Sequence, residues 1–295
     1  MFSFAAISFI VVGIIMSFSI SACVRQKEAP LEINHLYNPQ VNITGQEEEQ
    51  GKPPGITMPE SIIRICMPKP LKGVPEMILY RRAYIVSYNR ETKQPNWVAW
   101  NLSAEHTDGP YQRLNAYHED EEVPLPRATN DDYRGSGWSK GHMCPAGDNK
   151  WDEQVMFETF SLTNVCPQNA SLNSGLWNSI EMDCRKWAKR FGDIYIVCGP
   201  VFFRKEHETI GENKIVVPEA FFKVVLCLKG KPKAFGIIAR NTEGNKKRDL
   251  YYNTIDQVER ITGYDFFCSL PDKLENEIEA ADVNMDDWNK TYQNN

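Results

Sequence analysis

The chain has 295 residues, 42% hydrophobic and 24% charged, a balance that supports a buried core and rules out a chain too polar to fold. The length allows one large domain or two small ones, and the eight cysteines include no CxxC pair, which argues against a structural zinc site. The net charge of −6 is unevenly spread. Residues 133–250 carry 18 Lys/Arg against 13 Asp/Glu, while acidic runs sit at 47–49, at 119–122 and from Asp272 to Asp287. A basic centre with acidic flanks can still attract a polyanion.

Residues 1–22 contain no charge and read as an export segment rather than part of the fold. Their end, Ile20-Ser21-Ala22-Cys23, resembles the bacterial lipobox, which makes Cys23 the candidate lipidation site and the membrane the first expected partner. Two alternatives stay open, a secreted chain and a single-pass anchor, because roughly 18–20 apolar residues suffice to cross a bilayer. Residues 23–58 are rich in Glu, Gln, Asn, Pro and Gly and read as a flexible tether. Seven further cysteines follow: Cys66, Cys144, Cys166, Cys184, Cys198, Cys227 and Cys268. Spacing does not fix their pairing, but Cys198 and Cys227 lie in apolar runs and read as buried thiols.

Strands are expected at 62–66, 82–88 and 97–102, where aromatic or β-branched runs lie between turn signals, and the last two suit a hairpin. The polar, proline-bearing segment 107–133 reads as a long surface excursion that carries Arg113. A short strand at 161–165 precedes a helix over 172–191. On that helix Leu176, Trp177, Ile180, Cys184, Trp187 and Ala188 make an apolar stripe. Glu181 and Arg185 fall about 80° and 120° from Asn173, on the shoulder of the stripe. Four strands follow, at 194–198, 214–217, 221–228 and 234–239. A helix over 254–261 is capped by Thr254, and a shorter one is expected at 274–281. Adjacent, hairpin-linked strands with helices between them favour an antiparallel α+β domain over 59–275, with 276–295 as an acidic C-terminal tail.

The chemistry concentrates between Tyr133 and Arg190. His142 can take a proton from water, and Asn173 offers a hard, neutral oxygen to a divalent cation. Glu181 can fix metal-bound waters, and Arg185, Arg113 and Lys140 can hold a phosphate. Each residue alone has an ordinary structural reading; the joint spacing points to metal-assisted phosphodiester cleavage.

The segment Ser139-Lys140-Gly141-His142, followed by Pro145-Ala146-Gly147-Asp148 and Thr163-Asn164-Val165-Cys166-Pro167-Gln168, leads to Asn173, Trp177 and Glu181. It resembles the signature of the DNA/RNA non-specific endonucleases, members of the ββα-metal (His-Me finger) superfamily. The likeness extends to 199–202, 217–225 and 262–267. It implies an α+β fold, an antiparallel sheet flanked by helices with an embedded ββα-metal finger. It implies His142 as general base and Asn173 as the direct protein ligand of Mg²⁺, with Mn²⁺ as the alternative ion. Glu181 would orient the metal's waters, while Arg185, Arg113 and Lys140 would contact phosphate. The implied activity is cleavage of DNA and RNA with little sequence preference, leaving 5′-phosphates. The usual Asp-Arg before Gly-His is here Ser139-Lys140, which keeps a cation but loses the planar fork. Its rival reading is a catalytically impaired lipoprotein that binds nucleic acid without cutting it. Cys144 and Cys166 flank the motif; paired they would staple the finger, free they would be open to oxidation.

Overall fold

The structure, a computed structural model, describes residues 57–242 and 246–289. Residues 1–22, Cys23 and most of the 23–58 tether lie outside them. Expected strands form β2 (Ile85–Asn89), β3 (Gln94–Leu102), β6 (Ile194–Val201), β9 (Ala220–Cys227) and β10 (Lys233–Arg240), and β1 (Met77–Tyr80) is a strand the sequence reading did not place. Together with β11 (Tyr252–Asn253) they pair antiparallel in the order β1-β2-β3-β6-β9-β10-β11. Two small hairpins stand apart: β4 (Ser139–His142) with β5 (Val165–Gln168), and β7 (Thr209–Ile210) with β8 (Ile215–Val216).

The helices are α1 (Glu60–Cys66), α2 (Ala104–Thr107), α3 (Asn130–Tyr133), α4 (Glu153–Glu158), α5 (Ala170–Leu172), α6 (Asn178–Phe191), α7 (Ile255–Thr262), α8 (Asp272–Ala280) and α9 (Met285–Asn289). They cover the sheet on both faces. Strand alternation sends Val98, Trp100, Ile196, Cys198, Phe221 and Val225 to one side, against Trp177, Ile180 and Trp187. Trp97, Ala99, Val197, Phe222 and Val224 go to the other, against Ile63, Ile255, Val258 and Ile278. With no wet face, β3, β6 and β9 are buried along their whole length, so apolar residues dominate both of their faces and the few polar side chains within them are buried too. Each large side chain so buried contributes about 1.5–3 kcal/mol.

Five expectations change. The run 62–66 is helical, not extended. Glu60 and Arg64 pair across one turn at 3.2 Å, and Ile63, Ile65 and Cys66 turn inward, so packing on the sheet overrides the β-branched preference. The segment 161–165 is a 3₁₀ turn over Leu162–Asn164 that leads into β5. The 107–133 excursion is anchored in its middle: buried Asp120 accepts hydrogen bonds from Thr163 (2.6 Å) and Ser161 (3.1 Å) and pairs with Arg81. The acidic tail expected over 276–295 is folded as far as Asn289. There Trp288, 2% exposed, packs on Phe235 at 4.9 Å and Trp187 at 5.1 Å. Dense charge in 272–287 hid this apolar anchor. Residues 57 and 58 belong to the fold as well, since Thr57 donates its N–H to the Arg82 carbonyl and Met58 is buried.

Candidate active site and metal centre

The finger begins where β4 pairs with β5, with His142 opposite Val165 and Gly141 opposite Cys166. Gly141 is required by close approach: a Cβ there would fall 2.4 Å from Oε1 of the buried Gln168. Asn164 locks the chain just beyond His142. Its Oδ1 accepts from the Cys144 N–H (2.9 Å), and its Nδ2 donates to the carbonyls of Cys144 (2.9 Å) and Thr159 (2.8 Å). Asn241 performs a similar service at the far end of β5. It accepts from the Asn169 N–H (2.8 Å) and donates to the Pro167 and Pro218 carbonyls. Asn169 then caps α5 by accepting from the Ser171 and Leu172 N–H groups. Strand pairing and two asparagine clamps thus fix where the helix starts relative to His142.

His142 is 7% exposed, edge-on to Phe160 at 5.0 Å and tilted against Tyr117 at 5.2 Å. Its Nδ1 lies 3.4 Å from the Tyr117 hydroxyl, and its Nε2 has no hydrogen-bond partner among the described residues. Burial, reinforced by the Arg113 cation, pulls the imidazole down to about 3, so the ring is neutral near pH 7 and can accept a proton. The exposed Arg113 sets its guanidinium over the Phe160 ring at 5.4 Å, beside the same histidine. Lys140 lies two residues before His142, on the same side of β4. Its Nζ sits over the rings of Tyr117 (4.9 Å) and Tyr133 (5.4 Å). Aromatic packing therefore gathers Lys140, His142 and Arg113.

Asn173 opens a π-helical turn, Asn173–Trp177, between α5 and α6. Such a turn holds one residue more than an α-turn and rotates everything after it by about 100°. The offsets of 80° and 120° expected for an uninterrupted helix collapse to roughly 20° on either side. Asn173, Glu181 and Arg185 consequently form a single row, straighter than the sequence implied.

Arg185 pairs with Asp148 at 2.7 Å, and a Cβ at Gly147 would come within 2.9 Å of its Nη1. Asp148 is 1% exposed and also accepts from Trp100 Nε1 at 3.2 Å. One edge of the Arg185 fork is thus committed to the protein, which leaves the other edge for phosphate. Burial raises the Glu181 carboxyl to about 7; Lys223 opposes this, Asp148 adds to it, and Arg185 and Arg113 oppose it more weakly. The field of Arg113 thus reaches both Glu181 and His142 and ties the helix row to the finger.

Lys223 is the residue sequence reasoning passed over as a site group. It is wholly buried on β9, with its Nζ over the rings of Trp177 (4.9 Å) and Trp100 (5.1 Å) and no hydrogen-bond partner among the described residues. Burial disfavours its charge, but its surroundings outweigh this and raise the ammonium above its ordinary value; near neutral pH the charge that opposes burial comes from the Glu181 and Asp148 carboxyls, since Cys198 and Cys184 are protonated thiols. A lone lysine inside Phe221–Cys227, where every neighbour is apolar, was the available signal. The seven described cysteines are free, Cys144 and Cys166 included, so no disulfide staples the finger.

These residues fit a hard divalent cation. The helix row presents an amide oxygen and a carboxylate, both oxygen donors, and the raised Glu181 carboxyl lacks sufficient positive charge around it. The unpartnered His142 nitrogen adds a base on the finger.

Comparison with known proteins gives the same direction. Residues 68–273 match the family model for DNA/RNA non-specific endonucleases. The chain is 37% identical over 209 residues to the mitochondrial nuclease EXOG of Xenopus laevis, covering 64% of this chain and 58% of that protein. It is 33% identical over 228 residues to nuclease C1 of Cunninghamella echinulata, covering 72% and 89%. The match spans just over half the length of the Xenopus nuclease. A solved chain from the EndoG/EndoGI complex superposes with a TM-score of 0.64 at 29% identity, covering 68% of this chain and 91% of that one.

Proposed function

Since the chain belongs to the DNA/RNA non-specific endonuclease family, we propose that it hydrolyses phosphodiester bonds of DNA and RNA with little sequence preference, leaving 5′-phosphates. The observation that carries this reading is His142: neutral, buried and with one ring nitrogen unclaimed, beside the Arg113 guanidinium. His142 accepts a proton from the attacking water at its imidazole. Arg113 and Lys140, and the free edge of Arg185, hold the phosphate through its charge and not through the bases, which gives weak sequence preference. Asp148 keeps Arg185 in place, and Lys223 beneath the helix row favours the ionised form of Glu181. Asn173 would hold a Mg²⁺ ion directly and Glu181 would hold it through water; when bound, the ion supplies Lewis-acid stabilisation of charge on the phosphate.

Supercoiled plasmid and a long RNA, incubated with Mg²⁺, with Mn²⁺ and with chelator, test the reading. Cleavage in metal alone is expected, with end-labelling of the products showing 5′-phosphates. His142→Ala should lower the rate by about 10²–10⁴. Folded protein that binds DNA yet cuts neither substrate in either metal would establish a non-cleaving binder instead.

Export and attachment through Cys23 form part of the same proposal, supported by the uncharged run 1–22 and its lipobox-like end. Incorporation of labelled palmitate, lost in Cys23→Ser, is the expected result; unmodified wild-type protein in the medium would point to plain secretion.

A further inference from the structure

On the sheet face away from the finger, α7 and α8 bring five carboxylates together. Asp256 and Glu259 come from α7, Asp265 from the turn after it, and Glu275 and Glu279 from α8. They make two overlapping groups, Asp256–Glu259–Glu279 and Asp265–Glu275–Glu279. Within each group, one carboxylate oxygen per residue lies within 4.8 Å of the others. Glu279 is common to both.

Acids on a surface gather for many reasons, but Glu279 is not on the surface. It is 8% exposed, and its Oε1 is shut off from solvent with no hydrogen-bond partner among the described residues. Buried polar atoms are almost always paired, so this oxygen calls for a ligand. Burial, and then repulsion from Glu259, Glu275, Asp265 and Asp256, raises the Glu279 carboxyl to about 9. Glu259 accepts the Phe266 N–H through Oε1 at 2.7 Å, which leaves its second oxygen available. Lys69 approaches Asp265 at 3.7 Å from the exposed rim.

The donor chemistry favours calcium, which takes about six to eight oxygen ligands and accepts several carboxylates, whereas magnesium keeps most of its water and takes only one or two. An all-carboxylate set of half-buried side chains also suits calcium's flexible coordination. We propose that Glu279 is the shared ligand of a calcium-class cation site that fastens α8 to α7 and to the turn carrying Asp265. The site uses none of the residues assigned to hydrolysis and stands whether or not that assignment does.

Thermal unfolding of the full chain, in calcium and in chelator without magnesium, tests it. Calcium at about a hundredfold excess over its Kd should raise Tm by about 5–10 °C. Asn173→Ala should keep that rise, which separates it from any ion held at the finger. Glu279→Gln, which keeps the side-chain volume, should lose the rise while matching or exceeding the wild-type Tm in chelator. Should that variant not fold, Asp256→Asn at the half-exposed rim takes its place, with a diminished rise expected. Terbium luminescence in the Asn173→Ala protein, displaced by calcium, gives a readout with the cluster intact. A wild-type Tm indifferent to calcium, a Glu279→Gln protein with the full rise, or no displaceable terbium signal overturns the proposal. Glu279 would then be a proton-bearing acid sharing hydrogen bonds with its neighbours.

Discussion

Replacing Lys223 by methionine removes a buried ammonium and leaves a side chain of similar length between the same two tryptophans. The loss of charge falls on Glu181, whose carboxyl already stands at about 7 with Lys223 as the largest force opposing its rise. Loss of one nearby opposite charge shifts a carboxyl by about one to three pH units, and the lower end of that range, about 1.4 kcal/mol, is taken here. The Glu181 carboxyl of the variant should therefore stand about one pH unit higher. Activity needs the ionised form, so the acid limb of the rate profile should move to higher pH by the same amount. Near pH 7.5 the ionised fraction falls from about three-quarters to about one-quarter, a loss of about threefold that alkaline pH restores. Plasmid nicking across pH, at metal well below saturation so that the rate reports the metal-free carboxyl, reads both the shift and the recovery. Removing one member of a buried set of charges can cost about 3–5 kcal/mol, so the comparison is made on protein whose fold is confirmed by circular dichroism. A folded Lys223→Met protein with the wild-type pH profile would refute an electrostatic role for Lys223.

Asn164→Ala removes three hydrogen bonds from the loop behind His142, and unfolding in denaturant should show a loss of about 3 kcal/mol. His142 is held below its unfolded value near 6.5, so between about pH 3 and 6.5 the unfolded chain binds the extra proton and stability falls as pH falls through that window. Denaturant titrations of His142→Gln should lack that part of the slope, and an unchanged slope would contradict a neutral, buried imidazole. Trp288→Ala should cost about 3–5 kcal/mol in the same assay, whereas a solvated tail would register nothing.

The finger was legible because its demands are local. A glycine forced by Gln168, a histidine at a strand end and an amide one turn past a helix cap all leave marks at fixed spacing. The Thr254 cap was legible for the same reason, and the structure adds Gln257 as its reciprocal partner. What escaped was set by tertiary packing. The run 62–66 has strand-forming residues but lies on a face that takes a helix, and Trp288 sits among acids that conceal its destination. The π-turn leaves no trace in hydrophobic period, because the apolar stripe can be drawn through 176–188 without it. Lys223 was visible only as an anomaly in an apolar strand; its meaning depends on Glu181, 42 positions earlier in the chain.

The thiols carry a practical consequence. Of the seven described cysteines, Cys268 alone is exposed, and the other six are enclosed by the two packed faces of the sheet. A maleimide dye offered to the native protein should couple at that one described position. The remaining sulfurs should become reachable only as the layers separate, so the tally of attached dyes serves as a direct gauge of unfolding.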